Sequence, residues 1–157
     1  MGDLKAGQPL LNIDEGEAAV LRSFVACEVR YLIIGGRAVQ FHGHVRPAKD
    51  LDLLVEFSGD NWQNLQRALR PLNGGVPPFE TLSAEKRYQA RLNFYPTVEL
   101  LTAVDGVPFA QAWQDAVETV VENMPVRVIS RANLITCKQA SKRALDVQDV
   151  AALRDLG

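Results

Sequence analysis

Two aspartates, Asp50 and Asp52, stand one residue apart in a segment that is otherwise apolar, DLDLLV. In a β-strand, residues i and i+2 project from the same face, so these carboxylates would lie side by side with Cα atoms about 6.6 Å apart. Acids held that close repel each other and need a cationic partner when they leave water. Divalent cations suit this role, and two of them can clamp the attacking and leaving oxygens of a phosphoryl transfer. A strand-start acid followed by a solvated face is the simpler alternative.

A third acid in an apolar run is Glu99, in the segment TVELL. If its strand adjoins that of the aspartate pair, its carboxylate can ligate a second metal ion and act as a base toward an attacking hydroxyl. We therefore predict that strands at 31–34, 50–56 and 97–103 share one sheet, with Glu99 facing the aspartate pair. A surface charge on an edge strand is the alternative for Glu99.

A phosphate site is expected beside these acids, at Gly35 and Gly36. The glycine pair ends the apolar run YLII and opens a helical segment. Backbone N–H groups at a helix start bind anions, and glycine lets a phosphate approach closely. Arg37 and Arg46 flank the pair and carry the charge that neutralises phosphate oxygens. An ordinary turn also explains two adjacent glycines.

The spacing of apolar residues predicts an α/β (α+β) fold, in which a mixed β-sheet is flanked by helices. Helices are predicted at 14–30 with Asp14 as N-cap, 36–43, 59–72, 109–117, 132–144 and 146–156. Strands are predicted at 31–34, 50–56, 85–94 and 97–103, with one or two edge strands at 118–130. Asp146 is expected to be the N-cap of the last helix.

The composition indicates a single domain over residues 1–157, because 47% hydrophobic residues in a chain of this length suit one core. Residues 1–13 are expected to be poorly ordered, and residues 130–157 to form closing helices. The net charge of −2 shows no basic bias toward a long nucleic acid. Cys27 and Cys137 are not in metal-binding spacing. Without a secretory or membrane-spanning run, a cytoplasmic location away from membranes is expected.

The segment GGRAVQFHGHVRPAKDLDLLVE resembles the signature of the polymerase-beta-type nucleotidyltransferase superfamily. That signature is a glycine pair at a helix start, a later Asp-x-Asp, and a third acid on a following strand. Among its members, the sequence is most similar to small bacterial nucleotidyltransferase-like proteins related to abortive-infection toxins. The tail LITCKQASKRALDVQDVAAL resembles theirs as well. The resemblance covers residues 18–155 and implies a mixed sheet that holds nucleotide and metal at the ends of its first strands.

The resemblance also implies an activity and a set of site residues. A nucleoside triphosphate would bind with Mg²⁺ (or Mn²⁺), and a nucleoside monophosphate would pass to a hydroxyl of an RNA end, a protein or a small molecule. The catalytic and metal-binding residues would be Asp50, Asp52 and Glu99. The nucleotide-binding residues would be Gly35, Gly36, Arg37, Arg46 and Lys138.

Three positions depart from the pattern of this superfamily. Arg37 stands where many active members carry Ser or Thr, Ala48 stands where Thr is usual, and Glu99 stands where Asp is common. A second function is therefore weighed beside the enzyme. In that alternative the fold is a catalytically weak or inactive binding module that acts through a protein partner, for example in a toxin–antitoxin or phage-defence system.

Overall fold

The computed structural model describes residues 11–141 and 143–156. The expected poor order of residues 1–13 therefore lies outside the described residues for positions 1–10. The helices are Glu15–Ala26 (α1), Gly35–Phe41 (α2), Gly59–Leu69 (α3), Phe109–Gln114 (α4), Arg131–Ser141 (α5) and Ala144–Asp155 (α6). The strands are Tyr31–Ile34 (β1), Leu51–Val55 (β2), Gln89–Leu92 (β3), Tyr95–Leu101 (β4), Val117–Val121 (β5) and Met124–Val128 (β6). Short 3₁₀ turns cover Arg70–Leu72 and Phe79–Thr81.

The six strands form one mixed sheet in the order β3-β4-β2-β1-β6-β5. Strand β1 pairs antiparallel with β2 and parallel with β6, and β2 pairs parallel with β4. The predicted mixed sheet flanked by helices is therefore confirmed. The predicted neighbourhood of the strands at 31–34, 50–56 and 97–103 is confirmed too, because β1, β2 and β4 are adjacent in this order.

Several predicted boundaries were wrong at the edges of the sheet. The strand expected at 85–94 is shortened to β3, and the helix expected at 109–117 ends at Gln114. The segment at 118–130 forms a hairpin, in which β5 is an edge strand but β6 lies inside the sheet, between β5 and β1. Its turn uses Glu122 and Asn123, both with positive φ, as two-residue hairpin turns require.

The central strands are buried on both faces. Leu51, Leu53 and Leu54 are fully buried, and β1 is buried along its whole length. Strands covered on both faces have continuous apolar runs instead of alternating ones. This explains why β2 is apolar at every position except Asp52. Of the helices in the described part of the chain, none is long and apolar enough to cross a membrane.

Local sequence signals set the first helix. Asp14 accepts a hydrogen bond from the Glu17 backbone N–H, and the Glu17 side chain accepts one from the Asp14 N–H. This reciprocal capping box confirms the predicted N-cap. Glu17 is nevertheless only 1% exposed, so its carboxylate is carried into the core beside β4.

Candidate active site

The predicted three acids come together where β1 ends and β2 begins. Asp52 on β2 is in register with Glu99 on β4, and Asp50 lies one residue before β2. One carboxylate oxygen of each acid lies within 4.8 Å of the others. All three line a cleft of about 570 Å³. The prediction that Glu99 faces the aspartate pair is therefore confirmed.

Arg91 was not among the site residues predicted from the sequence, but it is the ion-pair partner of Asp50. Its guanidinium donates two hydrogen bonds, of 2.9 and 3.0 Å, to the two oxygens of Asp50. Its Nη2 also lies 3.5 Å from Oε2 of Glu99, with which Arg91 is in register across β3 and β4. The hydrogen bonds from Arg91 outweigh partial burial and lower the pKa of Asp50. The sequence offered one signal, since alternation along YQARL puts Gln89 and Arg91 on one strand face.

Asp52 is in the opposite electrostatic situation. Its pKa is raised to about 6, first by burial and then by the neighbouring charges of Glu99 and Asp50. Among the residues that the structure describes, Asp52 has no ion-pair partner and accepts no side-chain hydrogen bond. Glu99 accepts a hydrogen bond from the Gln89 amide. Asp52 is thus the acid whose negative charge most needs a cation.

Glycine is required at position 35 because the chain passes directly against Asp52. Gly35 has φ +67°, and a Cβ built there would overlap the Asp52 carboxylate. Gly36 is also tightly packed, since a Cβ there would lie 2.8 Å from the Cβ of Ala48. The glycine pair therefore brings the start of α2 against the acids, as the sequence predicted for a site in which phosphate and metal are neighbours.

We expect Gly35→Ala to destabilise the protein by about 1–3 kcal/mol, because the new methyl group must adopt a left-handed backbone and push Asp52 aside. Urea unfolding measures this loss. Gly75→Ala is the matched control, since Gly75 is exposed and a Cβ there meets nothing within 4 Å. The control should change stability by no more than about 0.5 kcal/mol. Equal losses in the two variants would contradict the tight packing at Gly35.

Arg37 does not line the cleft, contrary to its predicted contact with phosphate. It is 7% exposed, and its guanidinium donates to both oxygens of Glu17 at 2.9 and 3.0 Å. The remaining donors go to the backbone carbonyls of Asn12, Ala48 and Lys49. The physical reason is that Glu17 is buried by α1 and needs a cation, which consumes every donor direction of the guanidinium.

Arg46 is likewise used by an acid of the closing helices. Its Nε and Nη2 each donate at 2.8 Å to Asp149, whose side chain is fully buried. The Arg46 guanidinium does border Gly36, with Nη1 3.1 Å from a Cβ built there. Arg46 therefore fixes the loop before β2 onto α6, and its side chain is outside the cleft lining.

Lys138 does reach the cleft from α5. Its Nζ lies 3.1 Å from Asp146 and 2.9 Å from Asp149, and the side chain is 9% exposed. Ser141 and Arg143 also donate to Asp146. The prediction that Asp146 caps α6 was wrong, because the N-cap is Arg143 and Asp146 lies in the first turn. The acids of the tail motif hold α5 and α6 together through Lys138.

The donor set of the site suits a hard divalent cation. Three carboxylates supply oxygen ligands at close range, which is the chemistry that Mg²⁺ and Mn²⁺ prefer. Burial and the charges of Glu99 and Asp50 raise the pKa of Asp52, and a cation joining these carboxylates would favour their ionised forms. The residues present therefore fit a metal site formed by Asp50, Asp52 and Glu99.

Similar solved structures are nucleotidyltransferases. The lincosamide antibiotic adenylyltransferase LnuA, bound to lincomycin, has a TM-score of 0.60 at 16% identity, covering 93% of this chain and 99% of that chain. The solution structure of the antibiotic-resistance factor ANT(2″)-Ia has a TM-score of 0.60 at 20% identity, covering 89% and 82%. The crystal structure of ANT(2″)-Ia with adenylyl-2″-tobramycin has a TM-score of 0.56 at 19% identity, covering 89% and 87%.

No family model matches the sequence, and no curated protein matches it. At these identities the structural likeness establishes the fold, and it covers nearly the whole chain. The sheet and helices of this protein are therefore arranged as in nucleotidyltransferases.

Proposed function

We propose that the protein is a metal-dependent nucleotidyltransferase that transfers a nucleoside monophosphate from a nucleoside triphosphate to a hydroxyl group of a small molecule. The observation that carries the proposal is the convergence of Asp50, Asp52 and Glu99 in one cleft. These acids were predicted from their apolar neighbours and from the resemblance to a nucleotidyltransferase signature, and they meet in a fold shared with an antibiotic adenylyltransferase.

In the proposed reaction the three acids hold Mg²⁺ or Mn²⁺, which supplies charge neutralisation at the phosphates when bound. Glu99 accepts the proton of the acceptor hydroxyl, and Gln89 holds its carboxylate in place. The acceptor oxygen forms a bond to the α-phosphorus, the bond from that phosphorus to the β-phosphate bridge breaks, and pyrophosphate leaves. Gly35 lines the cleft beside the acids, so the triphosphate would pass close to its backbone, and Lys138 adds positive charge at the cleft wall.

A small molecule is proposed as the acceptor because of the size of the cleft and the ligands of the similar structures. About 570 Å³ lies within the range of small-ligand pockets. The similar structures were solved with lincomycin and with an adenylylated tobramycin. The net charge of −2 gives an RNA end no long-range attraction. Protein hydroxyls are included as alternative acceptors in the assay below.

Incubation with Mg²⁺ or Mn²⁺ and each of four labelled nucleoside triphosphates tests the proposal. The acceptor panel consists of aminoglycosides, lincosamides and other polyhydroxy compounds, with RNA and a protein mixture as further arms. We expect pyrophosphate release that depends on a small-molecule acceptor and stops on addition of EDTA. If label is transferred to RNA or to protein and to no small molecule, the proposed acceptor class is wrong.

If no nucleotide and acceptor pair gives pyrophosphate release or label transfer, the proposed nucleotidyltransferase activity is wrong. The binding module would then be the better account, with a protein partner in a toxin–antitoxin or defence setting, as the resemblance to abortive-infection toxins suggests. Copurification with the product of a neighbouring gene would test that partner directly.

A further inference from the structure

The acidic site already contains one positive charge, which belongs to the protein. The Arg91 guanidinium covers both oxygens of Asp50 at 2.9 and 3.0 Å and lies 3.5 Å from Glu99. It therefore contacts two of the three acids that are placed to ligate a metal ion. Its Nη1 also donates to the carbonyl of Pro96 at 2.9 Å, which ties the side chain to β4.

We propose that Arg91 is an internal counter-cation of the metal site, which holds Asp50 in the metal-free protein and moves to the phosphates of the nucleotide when a divalent ion takes Asp50. This inference rests on the proposed function, because it needs the metal and the triphosphate to share the cleft. It adds a role for a residue outside the predicted acids and outside the glycine pair.

Competition for Asp50 is the first step of the argument. A bidentate guanidinium uses both carboxylate oxygens, so a metal ion must displace at least one of its hydrogen bonds to gain a ligand. Two cations held a few ångströms apart also repel each other. Metal alone should therefore bind weakly, since each ion that enters must break the contact between Arg91 and Asp50.

The second step concerns where the displaced guanidinium goes. Arg91 lines the same cleft as the acids, and its side chain is 51% exposed, so it can turn away from Asp50 by also giving up its hydrogen bond to the Pro96 carbonyl. The planar guanidinium fork fits two phosphate oxygens as well as two carboxylate oxygens. A bound triphosphate therefore replaces the partner that Arg91 loses to the metal.

The consequence is a coupling between metal and nucleotide. The nucleotide lowers the cost of releasing Arg91 from Asp50, so metal affinity rises when nucleotide is bound, and by linkage nucleotide affinity rises by the same factor when metal is bound. Such a site favours the metal–nucleotide complex over free metal ions.

Mn²⁺ titration of the wild type, Arg91→Ala and Arg87→Ala tests the inference, with free Mn²⁺ followed by electron paramagnetic resonance. Arg87 is the matched control, because it lines the same cleft and its partner is Asp105, which is outside the three acids. Without nucleotide, Arg91→Ala should bind Mn²⁺ about fivefold more tightly than the wild type. Arg87→Ala should change this affinity by less than about twofold. Melting curves establish that both variants are folded.

The second half of the experiment repeats the titration with α,β-methylene-ATP, which binds without being cleaved at the bridge. The gain in Mn²⁺ affinity on adding this nucleotide should be about fivefold smaller for Arg91→Ala than for the wild type, because release of Arg91 can return only the affinity that its contact with Asp50 withholds. Equal Mn²⁺ affinities of Arg91→Ala and the wild type overturn the inference while leaving the proposed function in place. Equal shifts in Arg87→Ala and Arg91→Ala also overturn it, since general charge then explains the effect.

Two further results are decisive. In the first, Arg91→Ala binds Mn²⁺ more tightly than the wild type, but nucleotide raises the Mn²⁺ affinity of both proteins by the same factor. This result overturns the claim that Arg91 moves to the phosphates. An absence of Mn²⁺ binding in all three proteins, with and without nucleotide, overturns both the inference and the proposed metal-dependent function.

Discussion

Asp52→Asn is expected to lower nucleotidyl transfer by at least about a thousandfold, while the metal-free protein stays folded and becomes slightly more stable. Of the three acids, Asp52 is the one without a cationic partner among the described residues, and its charge is opposed by burial and by Glu99 and Asp50. Removing that charge relieves repulsion and should stabilise the metal-free protein by about 1 kcal/mol at low ionic strength. The same change removes an anionic ligand that a hard cation requires.

Thermal melts with and without Mn²⁺, together with the transfer assay, measure both effects. The wild type should gain melting temperature from Mn²⁺ and nucleotide together, and Asp52→Asn should lose this gain. Glu80→Gln is the control, because Glu80 is exposed and lies outside the cleft lining. It should keep both the activity and the metal response. The opposite result is a wild type whose melting temperature ignores Mn²⁺ and nucleotide, together with an Asp52→Asn protein that melts far below it. That result would show that the acids are structural and that the proposed enzymatic function is wrong.

Asp50→Asn should behave differently from Asp52→Asn, although the sequence treats the two acids as equivalent. Asp50 is already paired with Arg91, so its replacement removes an ion pair as well as the repulsion with Asp52. The difference between the acids comes from β3, which pairs with β4 and brings Arg91 to them. Strand pairing between distant segments is set by the packed sheet, and the alternation of one strand does not reveal it.

The acids themselves could be predicted because their neighbours are apolar. A carboxylate in a run such as DLDLLV or TVELL is costly unless a cation or a hydrogen-bond donor meets it, so its type and position carry information without any structure. The core strands could be predicted for the same reason, since strands covered on both faces are continuously apolar. Short edge elements such as β3 carry a weaker signal, and their bounds were correspondingly wrong.

The arginines could not be assigned from sequence, because each has several acids within reach of its long side chain. Arg37 and Arg46 stand beside the glycine pair in the sequence, yet each is taken by an acid from another helix. Arg91 is distant in the sequence, yet it contacts two of the three acids. Which acid is buried, and therefore which cation it must attract, is decided only when the helices pack on the sheet.

Arg37→Met is expected to destabilise the protein by about 3–5 kcal/mol, because it leaves the Glu17 carboxylate in the core without its cation. Glu17 is 1% exposed, and Thr97 and the Asp14 N–H would be its remaining donors. The double variant Arg37→Met with Glu17→Gln should recover part of this loss, since it removes the stranded charge and keeps an acceptor for the capping box. Urea unfolding of the wild type, of the single variants Arg37→Met and Glu17→Gln, and of the double variant measures the interaction energy.

The pH dependence has a definite sign. Burial raises the pKa of Glu17, but the hydrogen bonds from Arg37, Thr97 and the Asp14 backbone outweigh it, and the pKa lies below the ordinary value of 4.5. The wild-type protein therefore has this stabilisation at pH values above 4.5 and loses it as the pH falls through the lowered pKa. In Arg37→Met, burial still raises the pKa of Glu17, but the arginine no longer lowers it. Glu17 is therefore protonated as the pH falls, and this removes the destabilising buried charge of the variant. The stability gap between the two proteins should narrow from pH 7 toward pH 4.5.

The same variant decides between two roles for Arg37. If the guanidinium is held by Glu17 as the structure shows, nucleotide affinity measured well below the melting temperature should change by less than about threefold, because the side chain lies outside the cleft lining. A variant that keeps its stability and loses nucleotide affinity would return Arg37 to the nucleotide site, where the glycine-pair motif first suggested it. A stability gap that widens as the pH falls would contradict the stranded carboxylate, since only an ionised Glu17 is destabilised by the loss of its arginine.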